Sequence, residues 1–182
     1  METYISVLRG INVSGQKKIL MADLKTLYED LQFRNVKTYI QSGNVVFKSE
    51  KKVDDEDTAK RIEKAIQKKY GFQVPVIIRS HRELEKVIAS NPFLSEKDID
   101  PKKLHVTFLS EIPSKERLNE LNSVGFSPDK FTIQGKEIYL HIPVSYGETK
   151  LSNSFFEKKL KVTATTRNWN TVNKLAEIGS AE

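Results

Sequence analysis

The side chains able to do chemistry in this chain are three histidines and several basic groups set beside glycine or asparagine; there is no cysteine. His105 and His141 fall in two apolar runs, and imidazoles on neighbouring strands can exchange protons or bind a metal. Alternation along these runs predicts Leu104, Val106, Phe108, Ile138, Leu140 and Ile142 on a helix-covered face. His105, Thr107, Tyr139 and His141 are then expected together on the open face. No carboxylate joins that patch in this reading, and two ligands hold a metal weakly, so no metal site is expected. His81 opens a helix with no evident partner. The absence of thiols excludes disulfides, thiolate nucleophiles and iron–sulfur clusters, and no cofactor is implied.

The basic groups cluster around three motifs. Gly10-Ile11-Asn12-Val13-Ser14-Gly15-Gln16-Lys17-Lys18 follows a strand and precedes a helix, the setting of a phosphate-binding loop. Gln16 and Lys17 stand where a nucleotide-binding loop needs lysine and a hydroxyl, so triphosphate hydrolysis is not expected. Anion binding by Arg9, Lys17 and Lys18 remains open. In Thr38-Tyr39-Ile40-Gln41-Ser42-Gly43-Asn44 the residues Gln41, Ser42 and Asn44 surround a turn, where such side chains bond either a ligand or their own backbone. Thr165-Thr166-Arg167-Asn168-Trp169-Asn170-Thr171-Val172 gathers Arg, Asn and the single Trp at a strand-to-helix junction. Thr166 or Asn168 there can cap the helix, leaving Arg167 to grip a carboxylate or phosphate at two points.

The elements that must position these groups read as β-α-β-β-α-β twice. Tyr4 to Leu8 is a strand. Leu20, Leu24, Leu27, Tyr28 and Leu31 have helical spacing, predicting a helix over 21–31. Val36 to Gln41 and Asn44 to Lys48 flank Ser42-Gly43, read as a two-residue hairpin turn. A helix over 57–70 buries Ala59, Ile62, Ile66 and Tyr70 and stops at Gly71. Val74 to Arg79 follows, with Pro75 suiting an edge strand. Ser80 and Glu83 form a capping box for a connector helix that Asn91-Pro92 ends. Leu104 to Leu109, a short helix after Pro113-Ser114, a hairpin around Gly135-Lys136, a helix over 151–160 and a strand over 162–166 repeat the order. A last helix over 168–178 stops at Gly179.

The fold class expected is therefore α+β: two ferredoxin-like subdomains with a connector helix and a C-terminal helix. The boundaries are 1–80 for the first, 81–102 for connector and linker, and 103–182 for the second with the last helix. Lys plus Arg is 30 and Asp plus Glu is 24, a net charge of +6. Part of that excess pairs with a helix dipole: Asp54 to Asp57 lead the helix bearing Lys60, Arg61, Lys64, Lys68 and Lys69. The same basic face makes nucleic acid an alternative partner. The strand runs lack stacking aromatics of RNA-recognition modules. No apolar run approaches the ~20 residues of a membrane span. The N-terminal run lacks the basic-then-apolar layout of a secretion signal, so a cytoplasmic location is expected.

Leu8-Arg9-Gly10-Ile11-Asn12-Val13, Thr38 to Val45, and Thr165 to Val172 with Lys174-Leu175 together resemble the bacterial family called domain of unknown function 1697. The resemblance spans almost the whole chain. It implies a bacterial cytoplasmic protein of two ferredoxin-like subdomains, and it brings no catalytic residues. Thr149-Lys150 departs from the Ser-Lys expected there, though the hydroxyl is kept. The function expected is an anion-binding module in which Arg9, Asn12, Lys17, Asn44, Lys150, Arg167 and Asn168 line a cleft between subdomains. The alternatives are a small-metabolite enzyme using His105 or His141 as acid or base, and a nucleic-acid-associated protein.

Overall fold

The computed structural model describes residues 1–181. Strand β1 (Glu2–Leu8), helix α1 (Met21–Asp30), strands β2 (Arg34–Tyr39) and β3 (Asn44–Ser49), helix α2 (Asp55–Tyr70) and strand β4 (Val76–Ser80) form a first series. Helix α3 (His81–Ala89) and two 3-10 turns, Pro92–Ser95 and Pro101–Lys103, lead into a second. That series is β5 (Leu104–Leu109), α4 (Lys115–Asn122), β6 (Lys130–Gln134), β7 (Glu137–His141), α5 (Asn153–Leu160) and β8 (Ala164–Asn168), followed by α6 (Trp169–Ser180). The protein is thus α+β, with two four-stranded antiparallel sheets ordered β2-β3-β1-β4 and β6-β7-β5-β8. No helix among the described residues is long and apolar enough to cross a membrane. Contacts divide the described residues into one unit of 1–86 with 174–181, and another of Val87–Asn173.

In the first unit, register places Tyr4, Ser6 and Leu8 on one face with Val45, Phe47, Val76 and Ile78. Leu24, Leu27 and Tyr28 of α1 and Ile62 and Ile66 of α2 pack into the same core. Each such side chain contributes about 1.5–3 kcal/mol when fully buried. The buried Tyr28 hydroxyl is satisfied by Ser6 Oγ at 2.7 Å, and burial pushes its pKa well up. Asp54 caps α2 by accepting the Asp57 N–H, acids fill its first turn, and Gly71 ends it in a left-handed conformation at φ 78°. Strand β4 pairs with β1 alone, so Pro75 does precede an edge strand. The opposite face of this sheet, with Ile5, Val7, Val46, Ile77 and Arg79, is buried as well.

Four expectations are corrected in this unit. The β2–β3 connection spans four residues, Ile40 to Gly43, rather than two, because pairing already ends at Tyr39 with Asn44. Leu20 is the residue before α1 and is 69% exposed, so it does not belong to the buried stripe. Helix α6 runs through Gly179 to Ser180 instead of stopping there. His81 does have partners: its Nε2 lies 2.8 Å from the Ala176 carbonyl and 3.2 Å from Ser180 Oγ, and its Nδ1 is 3.7 Å from Glu85. The capping box stands as expected, with Glu83 accepting from the Ser80 N–H at 2.8 Å and Ser80 Oγ accepting from the Glu83 N–H at 3.2 Å.

In the second unit, Leu109, Leu121, Ile138, Leu140, Ile142, Leu151, Phe156, Leu160 and Ala164 form the helix-side core. Ser114 and Ser152 cap α4 and α5, so α5 begins at Asn153 rather than at Leu151. On the same face a hydroxyl ladder runs from Thr107 to Thr166 at 2.7 Å, and Thr166 donates to Asn153 at 2.6 Å.

Candidate functional site

Three loops meet at the end of the first sheet where β1 leaves and β3 and β4 enter. The Leu8 N–H donates to the Gly43 carbonyl and the Arg9 N–H to the Pro75 carbonyl, both at 2.9 Å. Gly43 is required twice over. Its φ is +83°, and a Cβ there would fall 2.6 Å from Ile11 Cδ1 and 2.9 Å from Leu8 Cβ.

Asn12 ties these loops together. Its Oδ1 accepts the Ile19 N–H at 2.9 Å, while Nδ2 donates to the Ile19 carbonyl at 3.0 Å and to the Gln41 carbonyl at 2.8 Å. Asn44, fully buried, donates to the Tyr39 carbonyl at 2.9 Å and to Ser42 Oγ at 3.0 Å. Apart from the Ser42 hydroxyl, these are backbone partners, so the two amides position the loops. Lys17 Nζ donates to the Gln73 carbonyl at 2.7 Å, drawing the 71–75 loop to the first. Gly10, Asn12, Ser14, Gly15 and Lys17 all have positive φ, as does Ile40 at 50°. A β-branched residue in that region is an outlier, and such strain concentrates at ligand sites.

Arg9 and Lys17 are half-buried and Lys18 is exposed. Segments 9–22, 31–49 and 71–82 contain no Asp or Glu. The structure therefore brings Arg9, Asn12, Lys17 and Asn44 of the expected set to one sheet end. The groups gathered at this end are ammonium and guanidinium cations, two amides and the Ser42 hydroxyl.

Lys150, Arg167 and Asn168 lie in the second unit. Lys150 is exposed, after Thr149, whose hydroxyl donates to Asp129 Oδ2 at 2.5 Å. Arg167 is 7% exposed on β8, its Nη1 donating to Thr165 Oγ1 and to the Thr166 carbonyl, each at 2.9 Å. Asn168 caps α6 by accepting the Thr171 N–H at 2.8 Å, which resolves the choice between Thr166 and Asn168. The first unit holds a counterpart that sequence reading missed. Arg79, 3% exposed, pairs with Ile5 as Arg167 pairs with Val106, and its Nη1 donates to the preceding carbonyl of Ile78 at 2.8 Å. Ser80, next in the chain, is in the capping position that Asn168 fills after Arg167. The shared order of arginine, cap and helix was the signal that could have found it.

The histidine patch does not exist as expected. In antiparallel pairing, opposed residues share a face, and register opposes His105 to Leu140 and His141 to Leu104. His105 and Thr107 thus lie on the helix side with Ile138 and Leu140, while Leu104, Val106 and Phe108 share the other face with Tyr139 and His141. The two imidazoles point to opposite sides, so no paired acid–base chemistry links them. Glu137 is on the Tyr139 side, contrary to the expectation that no carboxylate joins it.

His105 stacks on Tyr146 with centroids 4.8 Å apart, and burial lowers its pKa against an opposing hydrogen bond at Lys103. His141 lies against Phe93 at 6.0 Å. Burial pushes Tyr139 up to about 12, the Glu137 charge adding to it, and its hydroxyl donates to the Val87 carbonyl at 2.8 Å. Among the described residues no group of three His, Cys, Asp or Glu is placed to hold a metal.

Comparison with known proteins agrees with this architecture. The family model described as "Protein of unknown function (DUF1697)" matches residues 1–139. A solved structure of the conserved bacterial protein SP0830 from Streptococcus pneumoniae is similar over 100% of this chain and 99% of its own. Its TM-score is 0.79 at 22% sequence identity, a likeness of fold. No curated protein matches the chain.

Proposed function

The chain belongs to that family of unknown function, and on this premise we propose that it is a binding protein for an anionic, phosphate- or carboxylate-bearing ligand held at the loop end of the first sheet. The observation that carries the reading is the meeting of three loops without acidic residues of their own, pinned by Asn12 and Lys17, with Arg9, Lys17 and Lys18 among them; the Glu63 carboxylate at their edge is engaged by the Val76 N–H at 2.8 Å. Cations set among loop backbone with recurrent positive φ suit an anionic group. The element and strand orders further support a ferredoxin-like fold for each unit, and the bacterial neighbour supports a bacterial origin.

Calorimetric titration with pyrophosphate and with citrate tests the reading. The native chain binds at least one of them. The Lys17→Gln/Lys18→Gln double variant loses about tenfold or more in affinity, since each charged contact is worth roughly 1.5–3 kcal/mol, and keeps its melting temperature within a few degrees. No heat from either titrant, or equal affinity in the double variant, overturns it.

A further inference from the structure

We propose that this loop end is a docking surface for an acidic, amphipathic segment of another protein, gripped by Val13, Leu20 and Ile40 with Lys17 and Lys18 around them. The inference rests on the anion-binding reading and names the class of partner that carries the anionic groups.

Three aliphatic side chains of these loops lie open to solvent. Val13 is 59%, Leu20 69% and Ile40 46% exposed. Each is the immediate chain neighbour of a residue in the Asn12 hydrogen-bond node: Val13 follows Asn12, Leu20 follows Ile19, and Ile40 precedes Gln41. One buttressed node thus has three exposed aliphatic chain neighbours in two loops. Ile40 is held out at φ +50°, where a β-branched side chain is disfavoured. Nothing in the local backbone rewards an isoleucine at that position; asparagine or glycine fits it better.

Charge selects the occupant. The loops around the node contain Arg9, Lys17 and Lys18 and no acid of their own; Asp23 stands in the first turn of α1, and Glu63 of α2 is engaged by the Val76 N–H at 2.8 Å. A second copy presenting the same end meets like charge, which is costly at an interface. An acidic segment meets lysines at its rim, where they steer association, while burial of the aliphatic groups supplies residence. Single-stranded nucleic acid would answer the charge too, but it needs flat rings on which bases stack. The most exposed apolar groups here are aliphatic, with the nearby rings of Tyr39 and Phe72 half-buried, which favours a polypeptide.

The experiment selects binders from a displayed random peptide library on the intact chain, then measures synthetic copies of the winners by fluorescence anisotropy. Expected are sequences combining Asp or Glu with Leu, Ile or Phe, whose affinity falls about tenfold or more in Leu20→Ser/Ile40→Asn, the equivalent of 1.4 kcal/mol. The single variant Ile40→Asn separates docking from folding. It relaxes the left-handed backbone and so melts no lower than the native chain, yet it binds the peptide more weakly. Winners without acidic residues, no winners, or full affinity in the double variant overturn the proposal. So does a single-stranded oligonucleotide that binds more tightly than any peptide, or a dimer dissociated by Leu20→Ser.

Pyrophosphate titration of the same variants keeps the two readings apart. Retained pyrophosphate binding with failed peptide selection sinks only the docking surface. Failed peptide selection together with no binding of pyrophosphate or citrate by the native chain sinks the anion reading as well.

Discussion

The imidazole of His81 occupies the space that a side chain on Gly179 would need: a Cβ there would fall 2.4 Å from His81 Cδ2. The ring sits where it does because Nε2 reaches the Ala176 carbonyl near the end of α6. Alanine ordinarily improves a helix interior by about 1 kcal/mol over glycine. Here Gly179→Ala is expected to lower the melting temperature by several degrees, because the ring must leave its hydrogen bond. In a His81→Ala background the same change becomes neutral or stabilising. Thermal unfolding of the two single variants and the double variant checks this; an unchanged sign in both backgrounds refutes the steric account.

Asn12→Ala removes three hydrogen bonds at once from the loop node. The cost is about 1–3 kcal/mol, set by the Ile19 and Gln41 groups left without their partner. Loosening falls first on residues 9–19 and 40–43, so amide exchange there quickens while the α2 core stays protected. Uniform exchange throughout the first unit would contradict a local role.

The two capping residues at matched positions make a paired prediction. Ser80→Ala and Asn168→Ala each remove an acceptor from the first turn of a helix, at about 1 kcal/mol. Chemical denaturation should find the two losses alike to within a factor of two. A negligible loss at Asn168 together with abolished ligand binding would move that residue from structure to recognition.

His105 sets a direction for acid sensitivity. Burial holds its pKa below the ordinary value of 6.5, so the unfolded chain takes up the proton first as pH falls. Its contribution to stability is full above pH 6.5 and is lost on acidification through the lower folded value. Replacing His105 by Gln should flatten the fall in melting temperature between neutral and mildly acidic pH. An equally steep fall in the variant assigns the sensitivity elsewhere.

Much of the fold was legible because local signals agreed with one another. Helix α2 announced itself through Ile62 and Ile66, its acidic start and Gly71, and α3 through the Ser80–Glu83 box. The phase of β5 was not legible. His105 and Thr107 alternate with Leu104, Val106 and Phe108 and so mark the wrong face as the open one: both faces of this strand are covered, Thr107 is satisfied on the helix side by Thr166, and only the pairing with β7 decides the phase. Glycine at 179 read as a stop because sequence carries no trace of a ring arriving from residue 81. The basic loops of the candidate site were visible from Arg9, Lys17 and Lys18. Val13, Leu20 and Ile40 were not, since an apolar residue in sequence looks the same whether the fold buries it or leaves it out.

The matched arginines, Arg79 and Arg167, mark two copies of one architectural plan whose loop ends have parted ways. After β1 the chain takes twelve residues to reach α1, rich in glycine and lysine; after β5 it takes five to reach α4, Ser110 to Ser114, with Glu111 among them. The second copy therefore supplies an internal reference for the first. A substitution that harms the protein through the common scaffold should do so in either copy, whereas one that harms recognition should have no equivalent in the other.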